Sequence, residues 1–114
     1  MRQIFKKYNS FTIIFLLLHA IGYAQPVANF TANFVAGCAP LVVQFTSTSS
    51  GNPTSYQWDL GNSTLSTLQN PSTSYTSPGT YTVTLTVTNA QGTNTKTVTN
   101  YITCLLYTSP SPRD

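Results

Sequence analysis

Residues 78–89 read Pro-Gly-Thr-Tyr-Thr-Val-Thr-Leu-Thr-Val-Thr-Asn, so Tyr81, Val83, Leu85 and Val87 are each separated by a threonine. Successive side chains of a strand point to opposite faces, and this period of two writes one apolar face and one hydroxyl face. Threonine is β-branched and polar, which suits a pleated surface wetted on one side. The pattern predicts a central antiparallel strand over Thr80–Thr88, bounded by Pro78-Gly79 and Asn89.

The same alternation recurs along the chain. Ala28, Phe30, Ala32 and Phe34 alternate with Asn29, Thr31 and Asn33, which predicts a first strand. Gly37-Cys38-Ala39-Pro40 breaks it, because proline lacks a donor and glycine tolerates a sharp turn. Leu41, Val43 and Phe45 define a second strand, followed by a polar loop from Ser47 to Thr54 around Gly51-Asn52-Pro53. Tyr56, Trp58 and Leu60 share a face in a third, with Gln57 and Asp59 opposite, and Gly61-Asn62-Ser63 ends it. Leu65 and Leu68 suggest one short weak strand, and Tyr75 another after Asn70-Pro71. Asn89-Ala90-Gln91-Gly92 reads as a hairpin turn. Thr93–Thr103 closes the set. Within it Val98 and Ile102 share one parity and Tyr101 has the other, which a bulge near Asn100 reconciles. Lys96 falls in this last strand, where a charge discourages pairing with another chain. About seven short strands at this spacing, with no helical period and no internal repeat after residue 24, predict an all-β, Ig-like Greek-key β-sandwich. In such a sandwich Trp58 is expected at the centre of the core. Tyr81 is expected at the tyrosine corner, its hydroxyl capping a neighbouring loop.

The first two dozen residues have another character. Arg2, Lys6 and Lys7 precede the apolar run Phe11–Leu18, and Gly22-Tyr23-Ala24 places small residues before Gln25. A positive region, a short hydrophobic region and a cleavage site in that order predict a signal peptide over residues 1–24. The apolar run is well short of the roughly 20 residues that a spanning helix needs. Removing the leader changes the electrostatics: the formal charge of +3 rests on Arg2, Lys6 and Lys7, leaving Lys96 and Arg113 against Asp59 and Asp114. A neutral domain with so few cations cannot neutralise a row of phosphates, so neither nucleic-acid binding nor membrane insertion after cleavage is expected. The expected location is secreted or at the cell surface.

The inventory also bears on chemistry. His19 lies in the leader, Asp59 is the one acid before the final residue, and Lys96 is the one base between residue 25 and Arg113. General acid–base and nucleophilic catalysis both need positioned titratable partners, so no catalytic residue is assigned and no enzyme is expected. A calcium site needs six to eight oxygens, usually several from carboxylates. Asp59 and Asn62 do not suffice, so no metal and no cofactor is assigned. Asp59 is instead expected to bind backbone amides in the turn at Gly61. Cys38 and Cys104 form a candidate disulfide: export permits one, and both positions lie at the same pole of an alternating sandwich. Closing that 66-residue separation is worth about 4 kcal/mol in the loop-entropy account. Residues 104–114 abandon the alternation and read as a tail, a linker or non-native sequence.

Several of these pieces, in order, resemble the PKD (polycystic kidney disease) domain. Tyr56-Gln57-Trp58-Asp59-Leu60-Gly61 is similar to the family's Tyr-x-Trp-Asp-Phe-Gly-Asp-Gly signature. Asn70-Pro71 through Tyr75, then Pro78-Gly79-Thr80-Tyr81 through Asn89, follow its second half, and Ala39–Phe45 its early strand. Leu60 replaces the signature Phe, Asn62 and Ser63 stand where the family often has Asp and Gly, and Thr73 stands where many members have His. The resemblance implies a PKD-type module over residues 25–103. Its structural signature is Tyr56, Trp58, Asp59, Gly61, Pro78, Gly79 and Tyr81. The implied function is a non-catalytic spacer or adhesion unit of a larger secreted or surface protein of bacterial type. The alternatives are an accessory module of a secreted hydrolase and a glycan-binding module. The expected partners are other domains of the same chain and an extracellular protein or polysaccharide.

Overall fold

The computed structural model describes residues 24–106; the predicted signal peptide (apart from Ala24) and tail residues 107–114 lie outside them. The alternating segments become eight strands: β1 (Phe30–Ala32), β2 (Ala36–Cys38), β3 (Leu41–Ser47), β4 (Ser55–Asp59), β5 (Leu65–Ser66), β6 (Ser72–Tyr75), β7 (Gly79–Asn89) and β8 (Gly92–Leu105). They form a three-stranded sheet in the order β1-β3-β6 and a five-stranded sheet in the order β2-β8-β7-β4-β5. No helix occurs among the described residues, and the architecture is the all-β, two-sheet Ig-like sandwich that the alternation predicts.

β7 shows why the sheets stack. Val83, Leu85 and Val87 are fully buried, whereas Thr84, Thr86 and Thr88 retain contact with water. Leu41, Val43 and Phe45 of β3 supply the facing layer. Trp58 is fully buried between them, its ring edge-on to Phe30 at 5.2 Å and tilted against Phe45 at 5.6 Å. Each fully buried aliphatic side chain contributes about 1.5–3 kcal/mol, so this dry layer is the main source of stability.

The two long strands join through Ala90 and Gln91, with Asn89 opposite Gly92. The Asn89 carboxamide holds the turn by accepting a hydrogen bond from the Gln91 amide at 2.7 Å. Further along, the register passes from Val83↔Val98 to Tyr81↔Ile102, and Asn100 in the skipped segment has φ +54°. Val98 and Ile102 already share the inward face by parity, and the bulge lets Tyr101 join them, its ring 5.5 Å from Phe30.

Two features of the start of the domain differ from the sequence expectation. The predicted first strand ends at Ala32, and Phe34 is 55 % exposed, because the chain there leaves one sheet for the other. Gly37 and Cys38, expected only to punctuate, form β2 with Ala36, which runs parallel to the end of β8 with Gly37 opposite Cys104. Backbone bonds from the Thr103 amide to the Val35 carbonyl and from the Ala39 amide to the Leu105 carbonyl flank it, both 2.8 Å. Gly37 has no side chain for a packing reason: a Cβ there would lie 2.6 Å from Leu41 Cδ1.

Candidate functional site

Most of the signature residues gather at the pole where β4 ends and β7 begins. Asp59 Oδ1 accepts the Gly61 amide at 3.0 Å, closing the turn that leads out of β4. Tyr75 is fully buried and donates its hydroxyl to the Leu60 carbonyl at 2.6 Å. Tyr81 lies against the Tyr75 ring, with centroids 4.6 Å apart, and donates to the Ser77 carbonyl just before its own strand. Trp58 donates its indole N–H to the Leu68 carbonyl at 2.8 Å, fixing the segment after β5. Tyr56 packs at the edge of the core, and Pro78 and Gly79 are exposed at the start of β7. These groups hold loops on a sandwich, and Trp58 has no face free for a ligand.

The departures from the signature are coupled. Asn62 Nδ2 donates to Thr73 Oγ1 and to the Ser74 carbonyl, each at 3.1 Å, so two replaced positions bind each other and tie the turn to β6. Asn62 Oδ1 is buried without a partner. Among the described residues no three His, Cys, Asp or Glu side chains come together in a way that would hold a metal.

Asp59 and Lys96, the charged side chains of the described residues, serve separate ends of the structure. Asp59 pairs with Thr84 on the outer face of the five-stranded sheet, whereas Lys96 pairs with Leu85 on the inner face. Lys96 Nζ reaches past the core rim to Asn29 Oδ1 at 2.8 Å, and its neighbour Asn94 accepts the Ala28 amide at 2.7 Å. Both polar residues occupy inward positions of β8, and together they fasten the segment before β1. Sequence reading missed this role, since it treated Lys96 only as an edge charge.

The cysteines sit on neighbouring strands as free thiols. Cys38 stands opposite Leu105 and Cys104 opposite Gly37. A one-residue offset sends the two side chains to opposite faces of the sheet: Cys38 is exposed, and Cys104 is buried and donates to the Tyr75 carbonyl at 3.4 Å.

Two surfaces are neutral and polar. On the five-stranded sheet, threonine hydroxyls pair across β7 and β8 at 3.2 Å (Thr84–Thr97), 2.9 Å (Thr86–Thr95) and 3.1 Å (Thr88–Thr93). Such cross-strand pairs contribute roughly 0.2–1 kcal/mol each. At the hairpin pole an open cleft of about 180 Å³ is bounded by Ala24, Gly51, Thr54, Asn89 and Gln91. Asn89 Nδ2 donates there to the carbonyls of Gly51 (2.6 Å) and Ala24 (3.0 Å).

Tyr75 yields a pH prediction. Burial first, then the neighbouring Tyr81 and Asp59, hold its phenol protonated well above the usual tyrosine range. The folded state therefore keeps a proton that the unfolded chain releases near pH 10, and stability is complete below that pH and falls as pH rises above it. The limiting slope is about 1.4 kcal/mol per pH unit. In denaturant titrations between pH 9 and 11.5, Tyr75→Phe is expected to fall less steeply than the parent, and equal slopes would refute the assignment. Below pH 9 the variant should be less stable by about 1–3 kcal/mol, because the buried Leu60 carbonyl loses its donor.

The geometry has counterparts among known proteins. The family model described as the PKD domain matches residues 23–104. The pre-pro-metalloprotease PrtV of Vibrio cholerae is 40 % identical over 86 residues, which cover 75 % of this chain and 9 % of that protein. The crystal structure of its PKD1 domain, 39 % identical, covers 70 % of this chain and 99 % of that one with a TM-score of 0.59. The PKD1 domain of Vibrio anguillarum Epp is 40 % identical, covers 72 % of this chain and 98 % of that one, and gives a TM-score of 0.61. A structure of carbohydrate-binding modules of promiscuous specificity from the β-sandwich superfamily is 28 % identical, with a TM-score of 0.67 over 78 % of this chain and 38 % of that one.

Proposed function

The chain belongs to the PKD-domain family, a family of non-catalytic modules, and from that premise we propose that it is a spacer or interaction unit of a larger exported protein. One observation carries the reading. Val27 is bonded to Ser50, and Asn89 donates to the adjacent Gly51 carbonyl, so the folded part begins at the hairpin end of β7. It leaves beside Gly79, which pairs with Cys104 at the other end of the same strand. β7 runs for 11 residues between those poles, a span of about 34 Å. With residues 1–24 removed, the module stands at the amino-terminal end of the exported protein and holds its hairpin pole that full length away from the part that follows β8. The neutral surface of hydroxyls and amides supports a place outside the cell, secreted or on the surface, after removal of residues 1–24. Contacts with an extracellular protein or polysaccharide fall to the loops and strand edges, where main-chain pairing is available.

The similarity to a metalloprotease PKD domain favours a second reading, an accessory module of a secreted hydrolase whose catalytic part lies elsewhere. The chain spans 9 % of that relative's length, so the parent protein's activity belongs to this proposal. Both readings require the hairpin pole to be held away from the part that follows β8. Two copies of residues 25–106 joined head to tail are expected, in small-angle X-ray scattering, to exceed the single copy in maximum dimension by about 35 Å. Two copies packed side by side would sink the spacer reading. Removing the module from the parent protein separates the roles: loss of hydrolysis of a macromolecular substrate, with a small substrate spared, marks the accessory one.

A further inference from the structure

We propose that Gln25 is the amino terminus of the exported chain and a modification site, its α-amine closing on its own side-chain amide to give a neutral pyroglutamyl lactam. The proposal rests on export with cleavage after Ala24, and the structure adds where the folded body begins. Pro26 is fully buried, and Val27 exchanges two backbone hydrogen bonds with Ser50, at 3.1 and 3.0 Å. Ala24 and Gln25 are exposed. The bond between them therefore precedes the first buried residue, and cutting it gives up one hydrogen bond to the folded body, from Asn89 Nδ2 to the Ala24 carbonyl.

The surroundings suit a neutral end better than a charged one. A free terminus would carry an ammonium at neutral pH, with a pKa of roughly 8. The cleft beside Gln25 is bounded by Gly51, Asn52, Thr54, Asn89, Ala90 and Gln91, which offer no carboxylate. Asp59, the acid of the described residues, stands opposite Thr84, whereas the cleft lies beyond the pairing of Ser55 with Thr88 at the other end of β4. Asn89 turns its Nδ2 donor toward the Ala24 carbonyl, the acyl oxygen next to the Gln25 nitrogen. An ammonium left at that nitrogen would face a donor, whereas cyclisation returns an acyl group to it. The backbone of Gln25 is close against Gly51, where a Cβ would lie 2.7 Å from the Gln25 carbonyl oxygen. Its side-chain amide rests over Gly92, with Cδ 3.8 Å from the position of a Cβ there, and stays open to solvent.

The reaction needs no second reagent. The α-nitrogen attacks Cδ, the N–Cδ bond forms, the Cδ–Nε2 bond breaks, and a proton passes from the amine to the departing group, which leaves as ammonia. The lactam followed by Pro26 removes the free amine that aminopeptidases grip, which protects the Val27–Ser50 contact that fastens the start of the domain.

The test is to express the full 114-residue chain in an exporting bacterial host, recover the exported product, and record its intact mass and amino-terminal peptide. The expected product begins at residue 25, is lighter than the uncyclised chain by one ammonia, and resists Edman degradation. The Gln25→Ala variant should be cut at the same bond and remain open to Edman degradation. A product beginning at Gln25 that keeps its amine through prolonged incubation at neutral pH would overturn the lactam while sparing the export reading. A product beginning elsewhere, or uncut, would overturn both.

Discussion

Trp58→Ala is expected to lower the unfolding free energy by about 3–5 kcal/mol, the range for removing a large buried aromatic. Domains of this size have about 5–15 kcal/mol in total, so the variant should lie near the edge of folding. Three losses add up at this position. The ring is fully buried and touches Phe30 from one sheet and, through Phe45, the central strand of that same sheet, so its removal opens a cavity between the layers. The row Trp58–Leu85–Lys96 loses its largest member. The Leu68 carbonyl loses its indole donor, which frees the segment after β5. Trp58→Phe keeps part of the packing and none of the hydrogen bond, and should fall between parent and alanine variant. Guanidinium titrations read both, with an unchanged denaturant slope marking a true stability difference. A cost below about 1 kcal/mol for the alanine variant would mean that the sheets do not depend on this ring for their contact.

How much of this was legible in the sequence varies with the kind of contact. Alternation placed β3, β4, β7 and β8, because residues buried on one face of a strand must recur every second position. The bulge near Asn100 was legible too, since Val98, Tyr101 and Ile102 cannot all contribute to one core on a regular strand. β2 was not legible. It is three residues long, contains Gly37, and is held by parallel pairing to a partner 67 residues away, so nothing local in its composition announces a strand. Phe34 misled for a related reason: period two says which side a residue takes but not where the chain leaves the sheet. At the polar sites, the Asp59–Gly61 turn followed from local chemistry. The Asn62–Thr73 pair, the Asn94 and Lys96 contacts to the segment before β1, and the Asn89 clasp all join residues from separate elements, and only the packed fold brings them together.

Gly61→Ala is expected to cost about 3–4 kcal/mol. Gly61 has φ +86°, where a side chain is strained in any surroundings. The surroundings make it worse, because a Cβ at this position would lie 2.4 Å from the Thr82 carbonyl oxygen, a backbone atom of β7. Relief would require the turn to lift from β7, and that movement would draw out two anchors, the Gly61 amide from Asp59 and the Leu60 carbonyl from the Tyr75 hydroxyl. Gly79 is the control. It also has positive φ, +145°, but a Cβ there would meet nothing within 4 Å, so Gly79→Ala should show backbone strain alone, about 1–2 kcal/mol. Ser63→Gly, at φ +67° in the same turn as Gly61, should be neutral or slightly stabilising, because it relieves strain without touching the anchors. Chemical denaturation of the three variants ranks them directly. If Gly61→Ala and Gly79→Ala proved equal, the close approach of the turn to β7 would have no energetic weight, and the signature glycine would be explained by its dihedral angle alone.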